Sequence, residues 1–139
     1  MNLSRRTITL IKTRDERGQT MTEFALVLPI LVLLLFAVVQ FGIVFHNYIT
    51  ITDAARVGAR KGAVALYGTT SPASAAEAAA RASADNLDQG DLTVAVSASP
   101  SWQKGSDITV TASYPYEISL LGIAVQSGDL TSSTTERIE

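Results

Sequence analysis

The chain has 139 residues, no cysteine and a formal net charge of −2. That length leaves room for one domain of ordinary size, and the missing cysteines exclude a disulfide framework and thiol chemistry. The charge is unevenly placed: residues 1–18 hold five basic side chains against two acidic, and residues 19–139 hold six against eleven. An acidic body argues against a nucleic-acid partner, whose affinity rests on neutralising phosphates, whereas the basic end suits the anionic face of a membrane.

The first predicted element is therefore a separate basic leader, residues 1–18, closed by Gly18. Residues 24–45 then form an apolar run interrupted only by Pro29, Gln40 and Gly42, and no charged side chain occurs from 24 to 52. As a helix this run would be about 33 Å long, matching a hydrocarbon core of about 30 Å. A buried helix of a soluble protein is a poor alternative, because the rest of the chain is too short to wrap a helix apolar on all sides. A cleaved secretory signal would have an apolar stretch of about 7–15 residues ending in a small-x-small site. Here the run is longer and leads into Phe45, His46, Asn47 and Tyr48 with no such site. We expect a transmembrane helix over residues 19–47, entered from the basic side, so that the N-terminus is inside and the C-terminal domain outside. Pro29 should kink it near Ala25, Gln40 should donate at the interface or to another helix, and Gly42 should allow close approach.

The helical pattern continues over residues 48–66 as an amphipathic, projecting segment, with small residues at Ala54/Ala55, Gly58/Ala59 and Gly62/Ala63 on one face. Each interior glycine costs a helix about 1 kcal/mol relative to alanine, which suggests that Gly58 and Gly62 serve packing. After a break at 67–72, Ser74 and Glu77 read as a capping box opening a short alanine-rich helix to Asn86 or Leu87. Alternating residues predict strands at 92–99 and 108–114, joined by a loop at 100–106. Pro115 should stop the second strand. Ile118, Leu120, Leu121, Ile123 and Val125 have a mixed period and read as an apolar connection. A polar strand at about 130–138 suits a sheet edge. The expected fold is α+β: a long N-terminal helix, a second short helix and a small antiparallel sheet of about three strands, with residues 67–139 as an extracytoplasmic domain.

Catalytic chemistry is hard to find. His46 is the sole histidine and adjoins the membrane boundary, where it more simply hydrates the interface; Ser101 and Ser106 have no other candidate base. Asp85, Asp88 and Asp91 lack the ligand spacing of a calcium loop. We expect no enzyme activity, cofactor, metal or small-molecule substrate.

What remains is the junction of leader and apolar run. If a peptidase cut after Gly18, Gln19 would carry a new α-amine, and Gln19 and Glu23 are i and i+4 on one helix face. A carboxylate at the edge of hydrocarbon is costly unless paired, and that amine, its own or a neighbour's, is an available cation. A snorkelling helix-start residue favoured by the macrodipole is the simpler alternative for Glu23.

In this junction the chain resembles type IV prepilins, and more closely the TadE-like proteins of tight-adherence pili. Arg17-Gly18, Thr22-Glu23-Phe24-Ala-Leu-Val-Leu-Pro29 and Gln40-Phe41-Gly42 are similar to that family's signature, as are Asp53-Ala-Ala-Arg-Val-Gly-Ala-Arg-Lys-Gly62 and the ending Thr134-Thr-Glu-Arg-Ile-Glu139. The resemblance implies a pilin-like fold and cleavage by a prepilin peptidase between Gly18 and Gln19. It implies a role for Glu23 in subunit registry and a minor pilin or pseudopilin function in assembling an adhesive, type IVc pilus. The implied partners are the peptidase, other pilin subunits, the assembly platform and the lipid of a bacterial cytoplasmic membrane, from which the subunit would pass into an extracellular pilus. The competing reading is an uncleaved single-pass envelope protein whose outer domain binds another protein.

Overall fold

A computed structural model describes residues 16–120 and 122–139. The expected leader, up to residue 15, and Leu121 of the apolar connection lie outside the described residues. The chain divides into two compact units, Met1–Leu35 and Phe36–Glu139. Helix α1 (Glu16–Ala63) supplies the described part of the first and enters the second; α2 (Pro72–Ser83), β1 (Thr93–Ser99), β2 (Asp107–Leu120) and β3 (Ile123–Arg137) complete the second. The fold is α+β, with one antiparallel sheet in the order β1-β2-β3.

In the first unit every residue from 18 to 35 is exposed. In the second, α1 carries a narrow buried stripe: Ile51, Ala54, Ala55, Gly58, Ala59, Gly62 and Ala63, with Asp53, Arg56, Val57, Arg60 and Lys61 on the exposed side. The steps of three and four keep the stripe on one face. It meets Ala76, Ala80 and Ala84 of and after α2 and Ile108, Val110 and Ala112 of β2, together with Leu87, Leu92 and Ile138. Alanines on both helices bring the backbones close, so Ile51, Ile108, Ile138 and Val110 are the largest side chains fully enclosed. The carbonyl of Ala63, orphaned at the end of α1, accepts the backbone N–H of Glu139 at 3.1 Å.

The start of α2 differs from the expected box at Ser74. The N-cap is Ser71, whose side chain accepts from the Ser74 backbone N–H at 3.2 Å, and Pro72 occupies the first helical position. A proline there gives up only an N–H that would be unpaired anyway. Glu77 pairs with Arg81, 3.0 Å away, rather than with a cap. Arg81 also donates to the carbonyls of Leu92 (3.1 Å) and Gln89 (3.3 Å), holding the helix to the approach of β1. Ser71→Ala should lower the stability of this unit by about 1 kcal/mol and Ser74→Ala should cost less, as read by the urea midpoint of the solubilised chain.

β2 also departs from expectation, because it runs on through Pro115 to Leu120. The reason lies in its neighbours. β1 pairs with β2 only over residues 107–113, while β3 pairs with it along its whole length. Beyond Ser113 the sheet narrows to a two-stranded ribbon, so Pro115 stands where β2 has a single partner and a proline is admitted. The residues read as an apolar connection are the two ends of this ribbon, meeting near Gly122 (φ 83°), with a register shift at Ile118/Ser119. Glycine suits that left-handed conformation. β3 is an edge strand as expected from its polarity. On the sheet face away from the core, Thr109–Thr135 (2.8 Å), Thr111–Ser133 (3.1 Å) and Ser113–Thr131 (3.1 Å) pair their hydroxyls across β2 and β3.

Candidate processing and assembly site

The junction residues lie within the first turns of α1. Gln19 and Glu23, one turn apart, face each other: Gln19 Nε2 donates to Glu23 Oε1 at 3.0 Å. Thr22 Oγ1 donates to the Gly18 carbonyl at 2.9 Å. Gln19 thus partners the carboxylate through its own side-chain amide, a contact that reasoning from the α-amine alone did not include. The i, i+4 spacing could have revealed it, since Gln and Glu one turn apart on a helix are within reach.

Two features of this turn bear on chemistry. Gly18 is exposed, and a glycine weakens the helical turn in which it stands. Glu23 stands directly before an apolar stretch with no charge until Asp53, so it is the one acid between residues 18 and 52. Its carboxylate offers a specific charge to a partner at the edge of the apolar run.

Pro29 is inside α1 and has no N–H to give to the Ala25 carbonyl one turn back. Beyond its own helix turn, nothing among the described residues lies within 4 Å of where a Cβ on Gly42 would stand. Gly58 and Gly62 are the opposite case. A Cβ at Gly58 would fall 2.9 Å from the Ala76 carbonyl oxygen, 3.0 Å from Ala80 Cβ and 3.2 Å from Val110 Cγ1. A Cβ at Gly62 would collide with Ile108 Cδ1 and lie 2.9 Å from Ala76 Cβ and 3.2 Å from the Pro72 carbonyl oxygen. These two glycines let α2 and β2 sit against α1.

The polar residues further along α1 have partners within the chain. Gln40 Nε2 donates to the Ser119 carbonyl of β2 at 3.2 Å, so its partner is a strand of its own chain and not another helix. Nothing local in the sequence signals this pairing, which joins residues 79 positions apart. His46 Nε2 lies 3.1 Å from Asn86 Nδ2, whose amide also reaches Thr50 Oγ1 at 3.5 Å. His46 thereby ties α1 to the segment after α2. Asp88 Oδ1 accepts from the Gly90 backbone N–H at 2.8 Å and closes a turn. Among the described residues, no group of three or more His, Asp or Glu side chains is placed to hold a metal ion.

Among the described residues one helix, Gly18–Ala63, is long and apolar enough to cross a membrane. Residues 18–60 match a family model described as TadE-like protein, a structural family associated with Tad pili. The match takes in the Gly18 junction, the whole apolar run and most of the small-residue stripe. No curated protein and no solved structure matches the chain.

Proposed function

We propose that this TadE-like chain is a minor pilin or pseudopilin-like structural subunit for the assembly of a tight-adherence pilus, processed by a prepilin peptidase after Gly18. The observation that carries the reading is the order of parts along the first described turns of α1. An exposed glycine is followed at once by Gln19, paired one turn on with Glu23, and then by an apolar helix that the chain's own residues leave uncovered over 24–35. A permanent anchor needs only the last of these.

In this reading the basic leader holds the N-terminus inside the cytoplasmic membrane, and the apolar helix stores the subunit there. Cutting after Gly18 removes five basic side chains and leaves Gln19 as the new terminus. The uncovered helix then packs among the helices of neighbouring subunits, with Glu23 setting its register through the terminal amine of its own or an adjacent chain. Gly42, open in the single chain, supplies close approach between helices. The partners are the peptidase, other pilin subunits and the assembly platform.

Intact mass and N-terminal sequencing of the chain from cells with an active prepilin peptidase test this directly. The expected mature chain begins at Gln19. An intact leader under those conditions would sink the reading and favour an uncleaved envelope protein.

A further inference from the structure

We propose that the β2–β3 turn, carrying Ile118, Leu120, Ile123 and Val125, is a second membrane-contacting element, which enters the boundary between headgroups and acyl chains beside α1. The inference rests on the reading that the apolar run of α1 spans the bilayer, and it adds that the outer domain itself dips into that bilayer.

Depth is the first argument. The Ser119 carbonyl is bonded to Gln40, and Gln40 is five residues before Phe45, where the apolar run ends. Along a helix that distance is about 7–8 Å. Moving the membrane boundary back to spare the turn does not work. A span from Phe24 that stopped short of Gln40 would cover only about 24 Å of a hydrocarbon core about 30 Å thick, and starting it earlier would draw the Glu23 carboxylate into hydrocarbon. If α1 spans, the turn reaches below the level of Phe45. The half-buried residues of α1 before the core stripe, Ala37, Gln40, Val44, Asn47 and Thr50, recur at steps of three and four on one face, and Gln40 on that face meets the ribbon.

Composition is the second. From Ile118 to Gly128 there is no charged side chain, with Glu117 and Asp129 standing at either end. Ile123 is 73% exposed and Val125 66% exposed, in a domain whose other strand surfaces are largely serine and threonine. The same edge strand that presents Thr131, Ser133 and Thr135 further on presents Ile123 and Val125 near its start. Tyr116, whose hydroxyl accepts from Gln126 at 3.3 Å, sits just behind the turn. An amphipathic ring with a polar tip is suited to the headgroup level.

Polar satisfaction is the third, and it also sets the limit of insertion. An amide in an apolar run and an unpaired carbonyl at a ribbon edge are each costly away from water. The Gln40–Ser119 bond gives one donor of the amide and the carbonyl a partner in each other. The remaining open edges of a two-stranded ribbon cannot enter hydrocarbon, so the turn stops at the boundary zone, where apolar surfaces penetrate about 5–10 Å.

The absence of cysteine makes the test direct. Single-cysteine variants Ile123→Cys, Val125→Cys, Val38→Cys and Ser133→Cys of the full chain would be labelled with an environment-sensitive fluorophore. They would be reconstituted at no more than one chain per vesicle in phosphatidylethanolamine/phosphatidylglycerol bilayers carrying nitroxide on the acyl chains. All four positions except Ser133, which is on the hydroxyl face, are expected to show blue-shifted emission and strong quenching by the lipid nitroxide. Quenching at Val38 with none at Ile123 and Val125 would overturn the proposal while leaving the spanning helix intact. No quenching at Val38 would overturn the spanning reading and the proposal with it. A blue shift at Ile123 that needs several chains per vesicle and shows no lipid quenching would assign the turn to a second copy, and would likewise overturn it.

Discussion

Gly62→Val is expected to destabilise the unit Phe36–Glu139 by about 2–3 kcal/mol, the range for forcing extra carbon into a full core. Even a single Cβ at this position collides with Ile108 Cδ1 and presses on Ala76 Cβ and the Pro72 carbonyl. The Ile108 methyl is the end of a flexible side chain, but Ile108 is completely enclosed and has little room to turn. The Ala76 and Pro72 atoms belong to α2 and move only if that helix moves. Opposing this, valine is a better helix former than glycine by a few tenths of a kcal/mol, too little to decide the sign. Small domains have only about 5–15 kcal/mol to lose, so the effect is large. Gly62→Ala should be milder, because a propensity gain of about 1 kcal/mol offsets part of the collision. Gly42→Ala should leave this unit's stability unchanged or slightly raised, since nothing in the chain lies near it. Trp102, the sole tryptophan, provides the signal for urea unfolding in detergent. A Gly62→Val midpoint equal to that of the parent chain would show that α1 and α2 are not packed this closely in solution.

Under the proposed function, Glu23→Ala carries the second large effect, on assembly rather than on stability. Glu23 is exposed and bonded only to its helical neighbour Gln19 among the contacts described, and alanine favours a helix. The variant should therefore be made, inserted and folded normally. Its incorporation into pili should fall roughly a hundredfold, in line with about 3 kcal/mol for removing one member of an ion pair held away from water. Comparison of sheared-surface and membrane fractions by immunoblot reads the two quantities separately. Glu23→Gln separates causes: it keeps a hydrogen-bonding group of similar shape, so failure of both variants identifies the charge as the recognised property. Gly18→Asp should act at an earlier step, leaving a chain that retains its leader. Normal incorporation of Glu23→Ala would remove the registry role.

Several elements could be read from local spacing alone. The small residues at 54/55, 58/59 and 62/63 follow the helical period, and they form the buried stripe of α1. The alternation in β1 and in the first half of β2 gave both strands and placed Ile108, Val110 and Ala112 inward, where they are buried. The cap of α2 was also legible but misassigned. Ser71 followed by Pro72 is a helix-start signature in its own right, whereas the Ser74/Glu77 spacing points one turn too late.

What the sequence determined by itself is the part whose physics is local: a basic stretch ahead of Gly18, Glu23 one turn beyond Gln19, an apolar helix of bilayer length, and a glycine–alanine face beyond it. Helical period, charge and length are properties of contiguous residues. Only the tertiary structure decided how far the sheet extends, because strand length depends on which neighbour is present. Pro115 fits in β2 because the pairing with β1 ends at Ser113, leaving β2 a single partner strand there. The same long-range pairing carries the β2–β3 ribbon to Gln40. It turned a polar residue expected to serve another helix into the link between α1 and an apolar turn. Contacts between residues far apart in sequence leave no local period to read, and that is why this turn emerged only once the strands were paired.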